Sequence, residues 1–281
     1  MFLKIKVRFF DKGLIKTFCA LLSIIGVITT CIFIFVSIPD KSKVMSGIIF
    51  FAVLFIIYIY LWLHSNKIKH IRLFINGSII DVKSGDLFNE KGLKVIAFNE
   101  FFDTLVDEKI ISSSSLNGQF ITKFINDVDA LDKDIAENEH LSDRKLEINT
   151  TKKSKGKTQQ YKLGSIHIHN DFLLVAFTKF DDTIAYLTMS DYVNCLMNFW
   201  KEINIVYANR SIILPILGAS ALTRIRDYDS MTEQEKLELL LWTFKISRVK
   251  FSLPAQMTIV IHESVIDKID FYRLKRILCD L

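Results

Sequence analysis

The chain has 281 residues, half of them hydrophobic, a mean hydropathy of +0.29 and a formal net charge of +5. This is too apolar for an ordinary soluble protein, and the length leaves room for one or two domains. Nucleic acid is not the expected partner: Lys4, Lys6, Arg8, Lys12 and Lys16 against Asp11, together with the Asp40, Lys41, Ser42, Lys43 segment, account for the whole excess, and the remainder is neutral. The four cysteines, Cys19, Cys31, Cys195 and Cys279, form neither a close pair nor a ligand spacing, so a reducing compartment and no zinc are expected.

Residues 17–39 carry no charge and residues 44–66 none beyond His64. Each run of about 23 residues would span roughly 34 Å as a helix, against a hydrocarbon core of about 30 Å. A membrane domain over residues 1–70 is predicted, with transmembrane helices at about 14–38 and 44–64. A cleaved signal peptide is disfavoured, because the apolar run is too long and no small-residue cleavage site ends it. The linker at residues 40–43 is short, so the helices form an antiparallel hairpin. Lysines and arginines crowd both outer flanks, including Lys67, Lys69 and Arg72, which places both termini and everything after the hairpin in the cytoplasm of a two-pass cell-membrane protein. Tyr58, Tyr60 and Trp62 lie where an aromatic belt is expected. Neither of the runs 17–39 and 44–66 contains Asp, Glu, Lys or Arg, so neither looks like an ion path by itself.

From residue 71 the pattern changes to short strands, and residues 71–281 are predicted to form one cytosolic domain. Asn76-Gly77 between two β-rich runs is a hairpin turn. Gly85-Asp86-Leu87 follows, Asp86 reading either as a ligand contact or as a turn aspartate bonding its own backbone. Residues 93–98 make a strand ending at Asn99. Leu116, Phe120, Phe124, Val128, Leu131 and Ile135 give one face of a single long helix, whose acidic opposite face is expected to be solvated. Residues 142–160, with Lys152, Lys153, Lys155 and Lys157, read as an exposed loop or hairpin. Strands at 162–169 and 172–180 come next. His167 and His169 share a face of the first, but no carboxylate or third histidine has a reason to join them, so no metal is expected. Thr188 with Asp191, and Ser230 with Glu233, have capping-box spacing and open two helices. A strand at 258–261 and a helix at 265–278 close the chain. Strands alternating with amphipathic helices imply an α/β layer fold.

Between those capped helices lies SIILPILGASALTRIR, residues 211–226. A β-run is closed by Pro215, and Gly218, Ala219, Ser220 and Ala221 then offer backbone amides with almost no side chain over them. Such a row can hold an anion, typically a phosphate. A tight strand-to-loop turn is the plainer alternative. No Lys follows the glycine at the Walker spacing, so binding of a diphosphate is expected without Mg²⁺-driven phosphoryl transfer.

Gly85-Asp86-Leu87, the run VIAFNEFFDT at 95–104 and PILGASAL at 215–222 stand in the order of the ligand-binding elements of macro domains, and residues 81–281 resemble that ADP-ribose-binding α/β fold. With the two membrane helices in front, the chain is similar to the transmembrane-macro effectors of type II Thoeris antiphage systems. The wording FNEFFDTLVDEKIISSSSLNGQ at 98–119 and LWTFKISR at 241–248 also resembles that family. The resemblance implies a three-layer sandwich with a central mixed sheet behind a two-helix membrane hairpin. It implies that the domain binds an NAD-derived signal, an ADP-ribose conjugate such as histidine-ADP-ribose, made by a TIR-domain protein. The hairpins would then oligomerise in the bilayer and disrupt it.

By position, Asp86 would accept from the adenine amino group with the Leu87 amide beside it. Asn99 would face the distal ribose, and Leu217, Gly218, Ala219, Ser220 and Ala221 would hold the diphosphate. Phe101, Phe102 and Asp103 would meet the part beyond the ribose, Asp103 pairing a cationic group. The glycine-rich segment of hydrolytic macro domains is replaced by residues 103–115, and the paired glutamates of poly-ADP-ribose glycohydrolases have no counterpart. A receptor without cofactor, metal or catalysis is therefore expected. The alternatives are a membrane-tethered ADP-ribose hydrolase, with Asp103 or Asn99 orienting a water, and a membrane scaffold whose fold binds nothing.

Overall fold

The computed structural model describes residues 5–148, 156–181, 184–219, 223–226 and 231–279. The chain divides into two compact units, one made of residues 1–71 with 267–281 and the other of residues 72–266. The last segment of the chain thus groups with the first unit.

In the first unit, α1 (Lys12–Phe35) and α2 (Asp40–Lys67) are both long and apolar enough to cross a membrane. Phe35, Ile34, Phe51 and Ile56 are each more than half exposed, a surface that water does not favour and lipid does. The hydroxyls of Thr17, Ser23, Thr29 and Thr30 all bond the carbonyl four residues back, which satisfies them within the helix as a hydrocarbon surrounding requires. The turn between the helices falls at residues 36–39, not at 40–43. Pro39 ends the extended segment, and Asp40 and Lys43 form an ion pair in the first turn of α2, where an acidic residue suits the helix dipole. Tyr58 and Trp62 face the chain's own N-terminal segment: Trp62 Nε1 donates to the Val7 carbonyl at 2.9 Å and the Tyr58 hydroxyl to that of Phe9. Asn66 Oδ1 accepts from the amides of Lys6 and Val7 at 2.7 and 2.9 Å.

Asp11 caps α1, accepting from the amides of Gly13 and Leu14 at 2.8 and 3.2 Å. The same carboxylate takes Arg276 Nη1 at 2.7 Å, and the Thr17 and Tyr272 hydroxyls stand 3.0 Å apart. Arg276 and Tyr272 belong to α9 (Phe271–Cys279), so the end of the chain is tied to the start of the hairpin. The single terminal helix expected at 265–278 is two, α8 (Glu263–Ile266) and α9.

The second unit is a sheet with helices on both faces. Its strands are β1 (His70–Ile75), β2 (Ser78–Ser84), β3 (Leu93–Asn99), β6 (Ile166–His169), β7 (Phe172–Phe180), β8 (Ala185–Leu187), β9 (Ile212–Leu214), β10 (Thr223–Ile225) and β11 (Met257–Ile261). They run in the order β1-β2-β11-β9-β3-β7-β8-β10, with β6 beside the first half of β7. Asn76 and Gly77 both take positive φ at the β1–β2 turn, as that dipeptide requires. A separate two-stranded antiparallel sheet pairs β4 (Lys145–Ile148) with β5 (Gln159–Tyr161).

The expected long helix is α3 (Leu116–Phe124) and α4 (Val128–Glu137), followed by the short α5 (Glu139–Ser142). Asp127 breaks the pattern: its carboxylate accepts from the Ala130 amide and starts a new helix. Phe120, Leu131, Ile135 and Leu141 from these helices bury against Ile96, Phe98, Leu174 and Ala176 of the sheet. The other face carries α6 (Met189–Val206) and α7 (Glu233–Ser247), whose Trp200 and Phe244 rings meet at 5.0 Å. The Thr188–Asp191 capping box is present, whereas α7 is capped by Thr232 with Glu235 rather than by Ser230, which lies outside the described residues.

Two tests follow from this packing. Phe98 is buried among Phe102 and Phe120, so Phe98→Ala should cost about 3–5 kcal/mol in the melt of the detergent-solubilised full chain. Burial acts to raise the Asp11 pKa, but the Arg276 hydrogen bond and the Leu14 and Gly13 amides outweigh it and hold the carboxyl below its ordinary value. Its contribution is then complete above the usual carboxylate range and fades as pH falls through the depressed value. Asp11→Ala should be about 1 kcal/mol less stable than the parent at neutral pH, and the gap should close in acid.

Candidate ligand site at the carboxyl ends of the strands

The parallel pairings β2 with β11, β11 with β9, β9 with β3 and β3 with β7 point five strands the same way. Their carboxyl ends therefore share one edge, the place where open α/β sheets take ligands. Three of the loops leaving that edge are the segments singled out in the sequence: Gly85-Asp86-Leu87 after β2, residues 99–104 after β3, and the small-residue loop after β9.

Asp86 is exposed and begins a single 3-10 turn at Leu87–Asn89, accepting from the Phe88 amide at 3.0 Å and from Asn89 Nδ2 at 3.2 Å. It is thus a turn aspartate, held at the strand end in a defined rotamer. The Leu87 side chain goes inward to the core.

After β9 the chain turns at once. The Ala219 amide bonds the Ile216 carbonyl at 3.2 Å, and Gly218 sits at φ +77°, a conformation side chains disfavour. A Cβ at Gly218 would stand 3.0 Å from Tyr192 Cε2 and 3.4 Å from Phe177 Cε1. Below the turn, the Tyr192 hydroxyl donates to the Leu217 carbonyl at 2.8 Å. Burial pushes the Tyr192 pKa far up, so the hydroxyl remains a donor. Phe177 reaches the turn because the β3–β7 register jumps from Phe98↔Ala176 to Asn99↔Thr178, a bulge that leaves Phe177 as the extra residue. Ser220 and Ala221 lie outside the described residues.

The turn after β3 is closed on itself. Asn99 Oδ1 accepts from the amides of Phe101 and Asp103 at 3.1 and 3.2 Å, and its Nδ2 donates to Asp103 Oδ2 at 2.9 Å. Asp103, 1% exposed, also accepts from the Lys157 amide. Phe101 and Phe102 are 0% exposed, and Phe102 packs edge-on to Tyr161. Four residues expected to face the ligand beyond the diphosphate are therefore mostly interior: they shape this edge of the domain instead of projecting from it. The reason is local. Asn99 supplies both an acceptor and a donor to its own turn, which pulls Asp103 inward and drives the two phenylalanines into the core.

The acidic helix face is likewise less solvated than expected. Asp132 accepts from Thr104 Oγ1 at 2.8 Å and pairs with Lys157 Nζ at 2.7 Å, fastening α4 to this turn. Two side chains at this edge escaped the sequence reading. His262 follows β11 directly, between the Asp86 and Gly218 loops in strand order, is exposed, and has Nδ1 2.8 Å from the Ser264 hydroxyl. Its position after a strand was a signal. Tyr192 gave none, because its partner lies 25 residues away.

The mixed sheet, its two helix layers and the three loops at one edge define a macro domain, carried here with two apolar helices. The family profile described as "Thoeris protein ThsA, Macro domain" matches residues 80–262. A "Thoeris protein ThsA" of Bacillus amyloliquefaciens (strain Y2) is 39% identical over 265 residues, spanning 90% of this chain and 87% of that protein. The chain belongs to the Thoeris ThsA family. Among solved structures, the Oceanobacillus iheyensis macrodomain with ADP is similar at a TM-score of 0.49 and 13% identity, covering 75% of this chain and 98% of that one. The same macrodomain with MES bound gives 0.48 and 12%, again covering 75% and 98%.

The Tyr192 bond offers a direct test. Tyr192→Phe leaves the Leu217 carbonyl without its donor at nearly constant shape, and should cost about 1–3 kcal/mol in a denaturant titration of the full chain.

Proposed function

We propose that the macro domain is the receptor for an NAD-derived signal of ADP-ribose type in an antiphage system, and that the apolar hairpin is its membrane output. The observation that carries this reading is the Gly218 turn, set at the carboxyl end of β9 and held from beneath by Tyr192, on the same edge as Asp86. The diphosphate lies over residues 216–219, which bring backbone close to a ligand with no Walker lysine nearby. Adenine lies towards Asp86 and Leu87. The distal part, a histidine conjugate in the leading version, passes the rim formed by residues 99–104, which acts through its shape.

Binding without turnover is the better-supported reading. Asp103, the carboxylate that the hydrolase alternative would use to orient a water, is buried and already accepts from Asn99 Nδ2 and the Lys157 amide. The signal would come from a TIR-domain protein. Both ends of the hairpin lie on the cytoplasmic side, in keeping with the cationic flanks. Two helices cannot enclose a water path, so membrane damage requires self-association of several hairpins.

The test is a thermal melt of the purified full chain in detergent with ADP-ribose, NAD and histidine-ADP-ribose. A ligand at a hundredfold excess over its Kd should stabilise by about 2.7 kcal/mol. Gly218→Glu would strain the turn as well as repel phosphate, so Ala219→Glu, at a partly exposed position, is the cleaner variant and should abolish the shift without lowering the ligand-free melt. No shift with any of the three compounds would overturn the receptor reading.

A further inference from the structure

The sequence left His167 and His169 as a pair with no third ligand, and the fold brings one to them. Asp134 of α4 places Oδ2 3.0 Å from His167 Nε2 and 3.7 Å from His169 Nδ1, and the three donor atoms lie within 4.8 Å of one another. We propose that Asp134, His167 and His169 form a binding site for a divalent transition-metal ion, with zinc the best match. The site is separate from the loops of the proposed signal receptor and does not depend on that reading.

The spacing suits one ion. Nitrogen and oxygen ligands about 2.0–2.2 Å from zinc at tetrahedral angles stand about 3.3 Å apart, between the two separations from Asp134, and the two imidazole nitrogens lie within 4.8 Å of each other. Two imidazoles and one carboxylate select a zinc-like ion over magnesium or calcium, which prefer all-oxygen shells.

The donors are also held in place. His167 is fully buried on β6, which pairs through Ile166–His169 with β7, and Asp134 is flanked by the core residues Leu131 and Ile135. Binding at Nε2 replaces only the bond to Asp134. Among the described residues His167 Nδ1 has no hydrogen-bond partner, so binding at Nε2 breaks no bond that Nδ1 makes. Asp134 and His169 are 53% and 25% exposed, which gives an ion a way in and leaves a fourth position for water.

Such an ion would bridge α4 to β6. Because Asp132, two residues earlier on α4, holds Thr104 and Lys157, the metal would also steady the turn after β3. Its role is structural, a cross-link between a helix and the sheet edge.

The experiment uses the full chain in detergent, purified without a histidine tag and stripped with chelator, then titrated with zinc and separately with cobalt. The expected result is one ion per chain by elemental analysis, a higher melting temperature with zinc, and the visible absorption of tetrahedral cobalt. His169→Ala, at a partly exposed position with the longer contact to Asp134 and an edge-on contact to the Phe120 ring, should melt close to the parent without metal and weaken binding by more than about tenfold. Asp134→Asn should do the same. Binding below one ion in ten chains, or equal binding by parent and His169→Ala, would overturn the proposal.

Discussion

Parallel pairing of β3 with β7 on one side and β9 on the other is the constraint on which the domain depends. It aligns five carboxyl ends, so that loops from residues 85, 99 and 215 onward, far apart in the chain, leave the sheet at one edge. Parallel strands are joined by crossovers, and those crossovers are the helices that cover both faces. The hydrophobic effect holds this arrangement: Phe98, Phe120, Leu174 and their neighbours on one side, and Trp200, Phe199 and Phe244 on the other, are all removed from water.

Within that frame, the loops differ in how much freedom they keep. The turn after β3 is bonded internally through Asn99 and clamped by Lys157, so it serves as a rigid wall. The turn after β9 stays small and is fixed from below by a single buried hydroxyl. The loop after β2 stands outward with Asp86 exposed. A rigid wall, a turn fixed from beneath and an outward aspartate thus stand on one edge of the sheet.

The first unit obeys different physics. Its helices leave large apolar side chains uncovered and bond their serine and threonine hydroxyls to carbonyls one turn back, while Asn66 holds the amides of Lys6 and Val7 and Asp11 holds Arg276. That end contains groups from the start of the chain, the second helix and the last helix, so the hairpin base is tied through side chains that are sequence-distant from one another.

The sequence by itself determined what depends on local periodicity and short-range chemistry. The two apolar helices, the Asn76-Gly77 hairpin, the Thr188 capping box, the longer strands and the three candidate loops were all legible, because each rests on residues within a few positions of one another. Tertiary structure decided the rest. It split the predicted long helix at Asp127, whose capping bond outweighs a continuous apolar stripe, and moved the hairpin turn to residues 36–39. It turned Phe101, Phe102 and Asp103 inward, set Tyr192 under the Gly218 turn, and delivered Asp134 to two histidines more than thirty residues further on. These are outcomes of long-range packing, in which a side chain's role is set by the partner that the sheet and helices bring to it, and no local pattern encodes that partner.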